Sequence, residues 1–172
     1  GLTMLYPCSI LAGEGARCDH MALAFANADQ WQDTGAKVFH NAPHTSSTIV
    51  SKSVSKGGGC SVYRGMLHIA PHASDCTASI ECDALLLDER SRTDTVPDIK
   101  IRNNDVTIAH EARVGRLSDE DIFYLTSRGL TEEEARAMIV NGFFEPIVRL
   151  LPLEYAIEMN RLIELEMEGS VG

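Results

Sequence analysis

A repeated turn constrains this chain more than any other feature of its sequence. The pattern His-x-Ala-Pro-His-x-Ser occurs at residues 40–46 and again at residues 68–74. Apolar segments that run into similar turns begin at residues 10, 38, 66 and 99, and a second apolar or β-branched run follows each of the first three. A strand-turn-strand unit that recurs with a period between about 20 and 50 residues is typical of a solenoid.

Strands stacked one repeat apart form a parallel β-helix, in which neighbouring rungs lie about 4.8 Å apart. A period equal to the spacing of the two copies would place His40 over His68 and His44 over His72. Two such pairs raise the question of a metal site. Pro43 in the first copy and its counterpart in the second mark turns, however, and metal ligands need convergent geometry as well as histidines. We therefore interpret the repeat as a stacked polar turn.

The pattern changes to a helical one near residue 116. Ser118 is a suitable N-cap for a helix that begins with three acidic residues, and Gly129 is a suitable stop. A second helix is predicted from the capping box formed by Thr131 and Glu134, with Gly142 as its terminator.

Two more helices are predicted after Gly142. The segment 143–151 is expected to be a short third helix, because Pro146 is tolerable only near a helix start. The segment that begins after Pro152 has apolar residues at helical spacing, and Gly169 would end it. The sequence thus predicts rungs of a β-solenoid over residues 1–115 and a small domain of four helices over residues 116–172.

Composition limits the classes of partner and compartment. The chain has 172 residues, 44% of them apolar, and a net charge of −10, of which −7 falls in residues 108–172. An acidic segment repels phosphate backbones and anionic lipid, so neither nucleic acid nor a membrane surface is an expected partner. Without a signal peptide or a membrane span in the sequence, and with an odd number of cysteines lacking a C-x-x-C pair, we expect a cytoplasmic protein with free thiols. The five cysteines are Cys8, Cys18, Cys60, Cys76 and Cys82.

Several stretches together carry a family resemblance. They include "QDTGAKVFHNAPHTSSTIVSKSVSKGGG", "YRGMLHI", the long run from "CDALLLDERSRTDT" to "IVNGFFEPI", and the ending "LPLEYAIEMNRLIELEMEGSVG". This sequence resembles the C-terminal part of the SufB/SufD family, the scaffold subunits of SUF iron–sulfur cluster assembly. It is more similar to the SufB branch, through "SRTDT", "AHEA" and the final Ser-Val-Gly. Family members are longer, so the resemblance implies that upstream rungs, with the family's sulfur-acceptor cysteine, lie outside this chain.

The resemblance implies a right-handed parallel β-helix followed by a helical domain. It also implies that the solenoid pairs with SufD or a second SufB, and that the helices dock SufC, an ATPase of the ABC type. The chain itself is expected to be a scaffold and not an enzyme. Its "SKGGG" segment lacks the Gly-Lys-Ser/Thr of a nucleotide-binding loop, and no nucleophile-base-oxyanion set is visible.

The candidate metal-binding residues are Cys82, His110 and Glu111. Cys82 matches the family's essential interface cysteine, and thiolate and imidazole are donors that iron accepts. His110 follows Cys82 at the same spacing as the two copies of the turn motif, which is one predicted period. Since adjacent residues on a regular strand face opposite ways, His110 and Glu111 cannot both face Cys82 there. A single cysteine cannot complete a four-thiolate site, so we expect a transient, labile iron–sulfur cluster shared with a partner.

The candidate partner-binding residues lie in the helical segment, where aromatic and Arg side chains are numerous for so small a unit. Such side chains are favoured anchors of interfaces, although each could also be core. They are Phe123, Tyr124, Arg128, Phe143 and Phe144. Two alternatives to the assembly scaffold stay open from the residues alone: a carbohydrate-active β-helix enzyme, and a non-catalytic solenoid module that associates with itself.

Overall fold

The computed structural model describes residues 1–168, and they form a parallel β-solenoid followed by three helices. One sheet contains Leu2–Leu5 (β1), Cys8–Leu11 (β2), Trp31–Thr34 (β4), Lys37–His40 (β5), Cys60–Ile69 (β7) and Arg92–Ile101 (β9). We call it sheet A. Sheet B contains Arg17–Ala26 (β3), Ser46–Ser55 (β6), Cys76–Leu86 (β8) and Val106–Arg116 (β10), in that order. The predicted solenoid is thus confirmed.

Each rung contributes one strand to sheet B and either one long strand or two short strands to sheet A. In sheet A the first two rungs are interrupted, so that β4 and β5 pair with the two halves of the unbroken β7. Gly35 lies at this interruption. A Cβ added there would lie 1.7 Å from the carbonyl oxygen of Arg64 on the next rung, a separation that no side chain tolerates. The close approach of two backbones therefore requires glycine at this position.

The register corrects the predicted histidine ladders. Phe39 lies opposite His68, and His40 lies opposite Ile69, because the rungs here are one residue longer than the spacing of the motif. The rungs between β6 and β8 are longer still, so that the turn position of His44 corresponds to Asp75 rather than His72. The prediction that His40 lies over His68 and His44 over His72 is therefore wrong. A shift of one residue moves a side chain to the other face of a sheet, so the two copies of the motif use their first histidines differently.

His40 is buried inside the solenoid, where its ring connects the residues of its own turn. Nδ1 lies 2.8 Å from Thr45 Oγ1, and Nε2 lies 2.9 Å from Ser47 Oγ. Burial lowers the pKa of His40, because the interior disfavours the charged imidazolium. His68 instead makes an edge contact with the ring of Phe39, with centroids 5.7 Å apart.

The backbone of His44 adopts the left-handed conformation that the turn requires. Its φ is 58°, and the equivalent positions of the neighbouring turns are Gly15 at 70° and Asp75 at 50°. Each turn thus places one residue in the left-handed region. The His44 ring lies 2.8 Å from Asp75 Oδ2, and this partner raises the pKa of the exposed imidazole. The polar contacts of His40 and His44 give both residues structural roles in the turns.

The solenoid core follows from alternation along the strands. In β8 the residues from Cys76 to Ala84 are buried at every second position, with Ile80 and Cys82 between them. These side chains meet Val38, Leu67 and other apolar groups of sheet A in one cluster. A strand with one buried face is fixed in register, since a slip would expose its whole apolar set.

The first helix, α1, spans Asp119–Thr126, with Ser118 as N-cap as predicted. The second, α2, spans Glu132–Val148 and begins with the predicted capping box of Thr131 and Glu134. The third, α3, spans Leu153–Glu168. The predicted end of the last helix at Gly169 lies outside the described residues. None of the helices within residues 1–168 is long and apolar enough to cross a membrane.

The prediction that Gly142 ends the second helix, with a separate short helix after it, is wrong. Helix α2 continues through Gly142 and Pro146, so the described residues contain three helices where four were predicted. Gly142 and Pro146 stand one helical turn apart on the exposed side, where water can satisfy the carbonyl that proline leaves unpaired. On the opposite side Val140, Phe144 and Val148 form a buried stripe that holds the helix together across both residues.

The helices pack against the outer face of sheet B. Val54 of β6 and Leu87 share a buried cluster with Val140, Phe144 and other side chains of α2 and α3. Lys56, in the turn after β6, donates hydrogen bonds to the backbone carbonyls of Glu166 and Met167. The Lys56 ammonium thus satisfies carbonyl groups that the last turn of α3 leaves without a donor from the helix. Its positive charge also stabilises the negative end of the helix dipole.

Candidate functional site

Cys82 lies on β8, with its side chain inside the solenoid and 4% of the residue exposed. Its neighbours across the ladder are Ser51 of β6 and Ala112 of β10. Burial raises the pKa of the Cys82 thiol to about 12, and the carboxylates of Asp83 and Glu81 add to this shift. The thiol is therefore neutral in the closed solenoid. A metal ion or hydrogen-bond donor would be needed to favour the thiolate.

His110 lies on β10, opposite Ile80 and two positions before the partner of Cys82. His110 and Glu111 thus lie on the rung next to Cys82, as the spacing suggested, although the register pairs Cys82 with Ala112 and not with His110. Residues two apart on a strand share a face, so His110 belongs to the same face as Cys82. Strand geometry gives about 8 Å between their Cα atoms. His110 is exposed because β10 is the last strand described on this side of sheet B.

Glu111 faces the other way. It lies opposite Glu81, and its carboxylate pairs with Arg113 at 3.3 Å. Arg113 also contacts Glu81 at 2.8 Å and Asp83 at 3.2 Å. The regular strand thus separates the two candidate ligands, as alternation required: His110 is on the face of Cys82, and Glu111 is held in an ion-pair network on the outer face.

Within residues 1–168 no three side chains of His, Cys, Asp or Glu converge in a way that could hold a metal ion. Of the three predicted metal ligands, the inner face carries one thiol, Cys82, and one imidazole, His110. These are suitable donors for iron, yet too few for a closed site. The remaining donors would have to come from sulfide, solvent or a second chain.

A buried ion pair beside Cys82 was not predicted from the sequence. Lys52 Nζ lies 2.7 Å from Asp83 Oδ2, and both side chains are about nine-tenths buried. The ammonium group also lies 4.6 Å from the centroid of the Phe143 ring, on helix α2. The pair therefore links the helices to the strand of Cys82. The one usable signal was spacing, since Asp83 follows Lys52 by one rung of sheet B and the two are ladder partners.

A second feature that sequence reasoning missed is the hydroxyl of Tyr63, on β7. Tyr63 is 6% exposed and belongs to the same core cluster as Cys82. Its hydroxyl has no hydrogen-bond partner of normal geometry among the described residues. An unpaired buried hydroxyl is uncommon, because its desolvation is not offset.

The candidate partner-binding residues divide into exposed and buried groups. On α1, Phe123 is 74% exposed and Tyr124 is 55% exposed, and the Arg128 guanidinium stacks 4.5 Å from the Tyr124 ring centroid. Phe143 is half-buried over Lys52. Phe144 is 2% exposed, so the prediction that it lies on a docking face is wrong: it fills the contact between α2 and sheet B.

The final rung presents an open edge. Strand β9 pairs with β7 and β10 pairs with β8, and neither has a partner on its other side among residues 1–168. Apolar side chains are exposed along this edge: Val96 at 44%, Ile101 at 47% and Val114 at 61%. An uncovered row of backbone N–H and C=O groups with apolar neighbours is a surface on which another strand can pair.

Comparison with known proteins gives a consistent picture. A family model described as "SUF system FeS cluster assembly, SufBD core domain" matches residues 1–143. Iron–sulfur cluster assembly SufBD family proteins of Staphylococcus epidermidis, Staphylococcus saprophyticus and Staphylococcus haemolyticus are 54% identical to the chain over 171 residues. The alignments cover 99% of this chain and 37% of each relative. The chain thus spans little more than a third of the length of these curated relatives.

Proposed function

This chain belongs to the SufBD family of iron–sulfur cluster assembly proteins, and we propose that it serves as a scaffold, of the SufB branch, on which a cluster is built as cargo. The family match favours this role over a carbohydrate-active solenoid. All five cysteines are free, which fits a reducing, cytoplasmic compartment.

The observation that carries the proposal is the position of Cys82, one rung inside an open solenoid edge. We assign Cys82 as the thiolate donor to the nascent cluster and His110 as a second donor from the last rung of sheet B. Both belong to the inner face, and His110 is exposed at the edge. Glu111 acts from the outer face, where it holds Arg113 beside Asp83. An incomplete donor set makes the bound cluster labile and therefore easy to transfer.

The remaining donors are supplied by a second scaffold chain. The open edge of β9 and β10 lies beside the strand of Cys82, so strand pairing there would cover the site. The partner in this proposal is SufD or a second SufB. Separation of the two chains would expose β10 and His110 at the edge, one rung from Cys82, which is itself only 4% exposed in the single chain.

The helices dock the SufC ATPase in the same proposal. Helix α1 has no buried residue and presents Phe123 and Tyr124 to solvent. Exposed aromatic side chains next to an arginine are frequent anchors of protein interfaces. The ion pair between Lys52 and Asp83, with Phe143 over it, provides a physical connection from α2 to the strand of Cys82.

The cluster site is tested by anaerobic reconstitution of the chain with iron and sulfide. We expect the wild type to acquire visible cluster absorption and Cys82→Ser to lose it. Cys60→Ser is the matched control, because Cys60 is also a buried, free thiol but lies on sheet A outside the cluster that contains Cys82. Circular dichroism verifies folding. Equal absorption in the wild type and Cys82→Ser would refute the assignment.

The docking surface is tested by titrating the cognate SufC ATPase into the chain. We expect Phe123→Ala to raise the dissociation constant roughly tenfold or more, as for an interface hot spot. Tyr155→Ala is the control, since Tyr155 is 68% exposed on α3 and is not assigned to this surface. An unchanged constant for Phe123→Ala would remove α1 from the interface.

A further inference from the structure

A row of alternating charges crosses the outer face of sheet B. Lys52 of β6, Asp83 of β8 and Arg113 of β10 are ladder partners on three successive rungs, and we call them the charged row. Lys52 is buried beneath helix α2, where Nζ lies 4.6 Å from the centroid of the Phe143 ring. Arg113 lies on the open edge strand, with its side chain 58% exposed. The row therefore extends from the helices to the edge of the solenoid.

Asp83 is the acceptor that the two cations share. Lys52 Nζ donates a hydrogen bond of 2.7 Å to Oδ2. Oδ1 is buried too, and Arg113 Nε lies 3.2 Å from it, but no residue within 1–168 donates a hydrogen bond of normal geometry to this oxygen. A buried carboxylate oxygen without a donor destabilises the folded chain. Arg113 thus lies beside an acceptor that it does not fully use.

Two other carboxylates hold Arg113 in this position. Its Nη2 donates to Glu81 Oε1 at 2.8 Å, and its contacts with Glu111 are 3.3 Å long. Both carboxylates are more exposed than that of Asp83. A guanidinium has a planar fork of donors and binds one carboxylate best through two of them. The side chain therefore has two arrangements: shared among three carboxylates, as observed, or turned inward with two donors on Asp83.

The ammonium group of Lys52 determines which arrangement is favoured. While Nζ is bound to Asp83, the buried charge is compensated, and Arg113 is left to the outer carboxylates. If Nζ were withdrawn, Asp83 would be a buried charge without its nearest cation, which costs more than the loss of an exposed ion pair. Arg113 would then turn onto Asp83. Glu111 has the longest of the three contacts and would lose its cation.

We propose that the charged row is a conformational switch, in which the seating of α2 over Lys52 keeps Arg113 on Glu111, and withdrawal of Lys52 moves Arg113 inward and frees the Glu111 carboxylate. Any ligand that displaces α2 would thereby change the charge beside His110 at the open edge. Coupling of this kind is reciprocal, so a group that binds the freed carboxylate would favour the displaced helix. The inference concerns the chain's own ion pairs, so it holds or fails independently of iron binding by Cys82.

The test measures how fast phenylglyoxal, a reagent for exposed guanidinium groups, modifies each arginine, with mass spectrometry of peptides as the readout. Lys52→Met imitates withdrawal of the ammonium group. We expect modification of Arg113 to slow about tenfold, as for one added charge-assisted hydrogen bond. Arg17 is the internal control, because it pairs with Asp19 at the other end of sheet B and its side chain is 68% exposed. Its rate should not change.

A second variant tests whether the buried charge is the cause. Lys52→Met combined with Asp83→Asn leaves no charge for Arg113 to approach, so its modification should be as fast as in the wild type or faster. Sucrose in every sample stabilises the folded state, which circular dichroism verifies. If Lys52→Met does not fold, Lys52→Gln decides, since glutamine removes the charge and keeps a donor for Asp83. About threefold slower modification of Arg113 is then expected.

Three results would overturn the inference. The first is an unchanged or faster rate at Arg113 in the folded single variant. The second is equal slowing in the single and double variants, because the effect would then not depend on the charge of Asp83. The third is a crystal structure of the folded single variant in which Arg113 still binds Glu111. The result that supports the switch is an Arg113 that donates to both oxygens of Asp83 and lies beyond hydrogen-bond distance of Glu111.

Discussion

Replacement of Lys52 by Met removes the positive half of the buried ion pair with Asp83. The two side chains are 10% and 11% exposed, and Nζ lies 2.7 Å from the carboxylate oxygen. Methionine has a similar length and keeps the apolar contact with Phe143. The substitution thus isolates the charge: Asp83 stays buried and loses its nearest cation.

Removing one partner of a buried ion pair destabilises a protein by about 3–5 kcal/mol. Arg113 Nε lies 3.2 Å from the other oxygen of Asp83 and compensates part of the charge, although its side chain is 58% exposed. We therefore expect the low end of that range, about 3 kcal/mol. For a chain of this size this corresponds to a fall of roughly 6–12 °C in Tm.

The assay is urea unfolding followed by circular dichroism, with an unchanged m-value as the condition for comparing stabilities. Lys100→Met is the control, because Lys100 and Asp98 form an exposed pair that should contribute less than about 1 kcal/mol. Combining Lys52→Met with Asp83→Asn should cost less than the sum of the single changes by about 1 kcal/mol or more. A loss below about 1 kcal/mol for Lys52→Met, with no coupling in the cycle, would show that the buried ion pair contributes little to stability.

Three further substitutions test the solenoid and the helices. Burial lowers the pKa of His40 in the folded chain, so as the pH drops below about 6.5 the imidazole takes up a proton in the unfolded chain first. The wild type should therefore become less stable as the pH is lowered through this range. The stability difference between wild type and His40→Gln should therefore shrink from about pH 7.5 to about pH 5.5 in urea titrations, and a constant difference would contradict the assignment. Gly35→Ala should destabilise by more than about 3 kcal/mol, because its Cβ would meet the Arg64 carbonyl at 1.7 Å. Gly142→Ala, with no atom within 4 Å, should instead stabilise α2 by about 0.5–1 kcal/mol, and thermal melts in which both changes acted alike would refute this contrast.

The solenoid could be predicted because the sequence of its turns repeats along the chain. The period could not be read precisely from them, since rungs of unequal length occur in one stack: Arg17 pairs with Ser46, whereas Cys60 pairs with the more distant Arg92. The strands before the repeated motif pair one residue out of step with it, and the strands after it pair three residues out of step. Pairing depends on which side chains fit the interior, and a turn motif does not contain that information.

The helical part shows where local signals fail. The caps at Ser118 and Thr131 were predicted correctly, because the bonds of a cap lie within one turn of the helix. Gly142 and Pro146 were misjudged as boundaries. The buried stripe of Val140, Phe144 and Val148 stabilises one continuous helix, and its packing partners are distant in the sequence.

The candidate site was predictable only in part. The family resemblance singled out Cys82, and strand alternation correctly required His110 and Glu111 to face opposite ways. Nothing in the sequence indicated that the Tyr63 hydroxyl would lie in the core cluster of Cys82 without a hydrogen-bond partner among residues 1–168, because that follows from how the two sheets close on each other.

The central claim is that Cys82 holds part of a cluster that two chains complete together. The most direct measurement is anaerobic size-exclusion chromatography of the reconstituted chain with light scattering and visible absorption, followed by iron and sulfide analysis of each peak. We predict that iron, sulfide and absorption elute with a dimer of the wild type and are absent from Cys82→Ser. A cluster that elutes with the monomer, or that persists in Cys82→Ser, would contradict the claim.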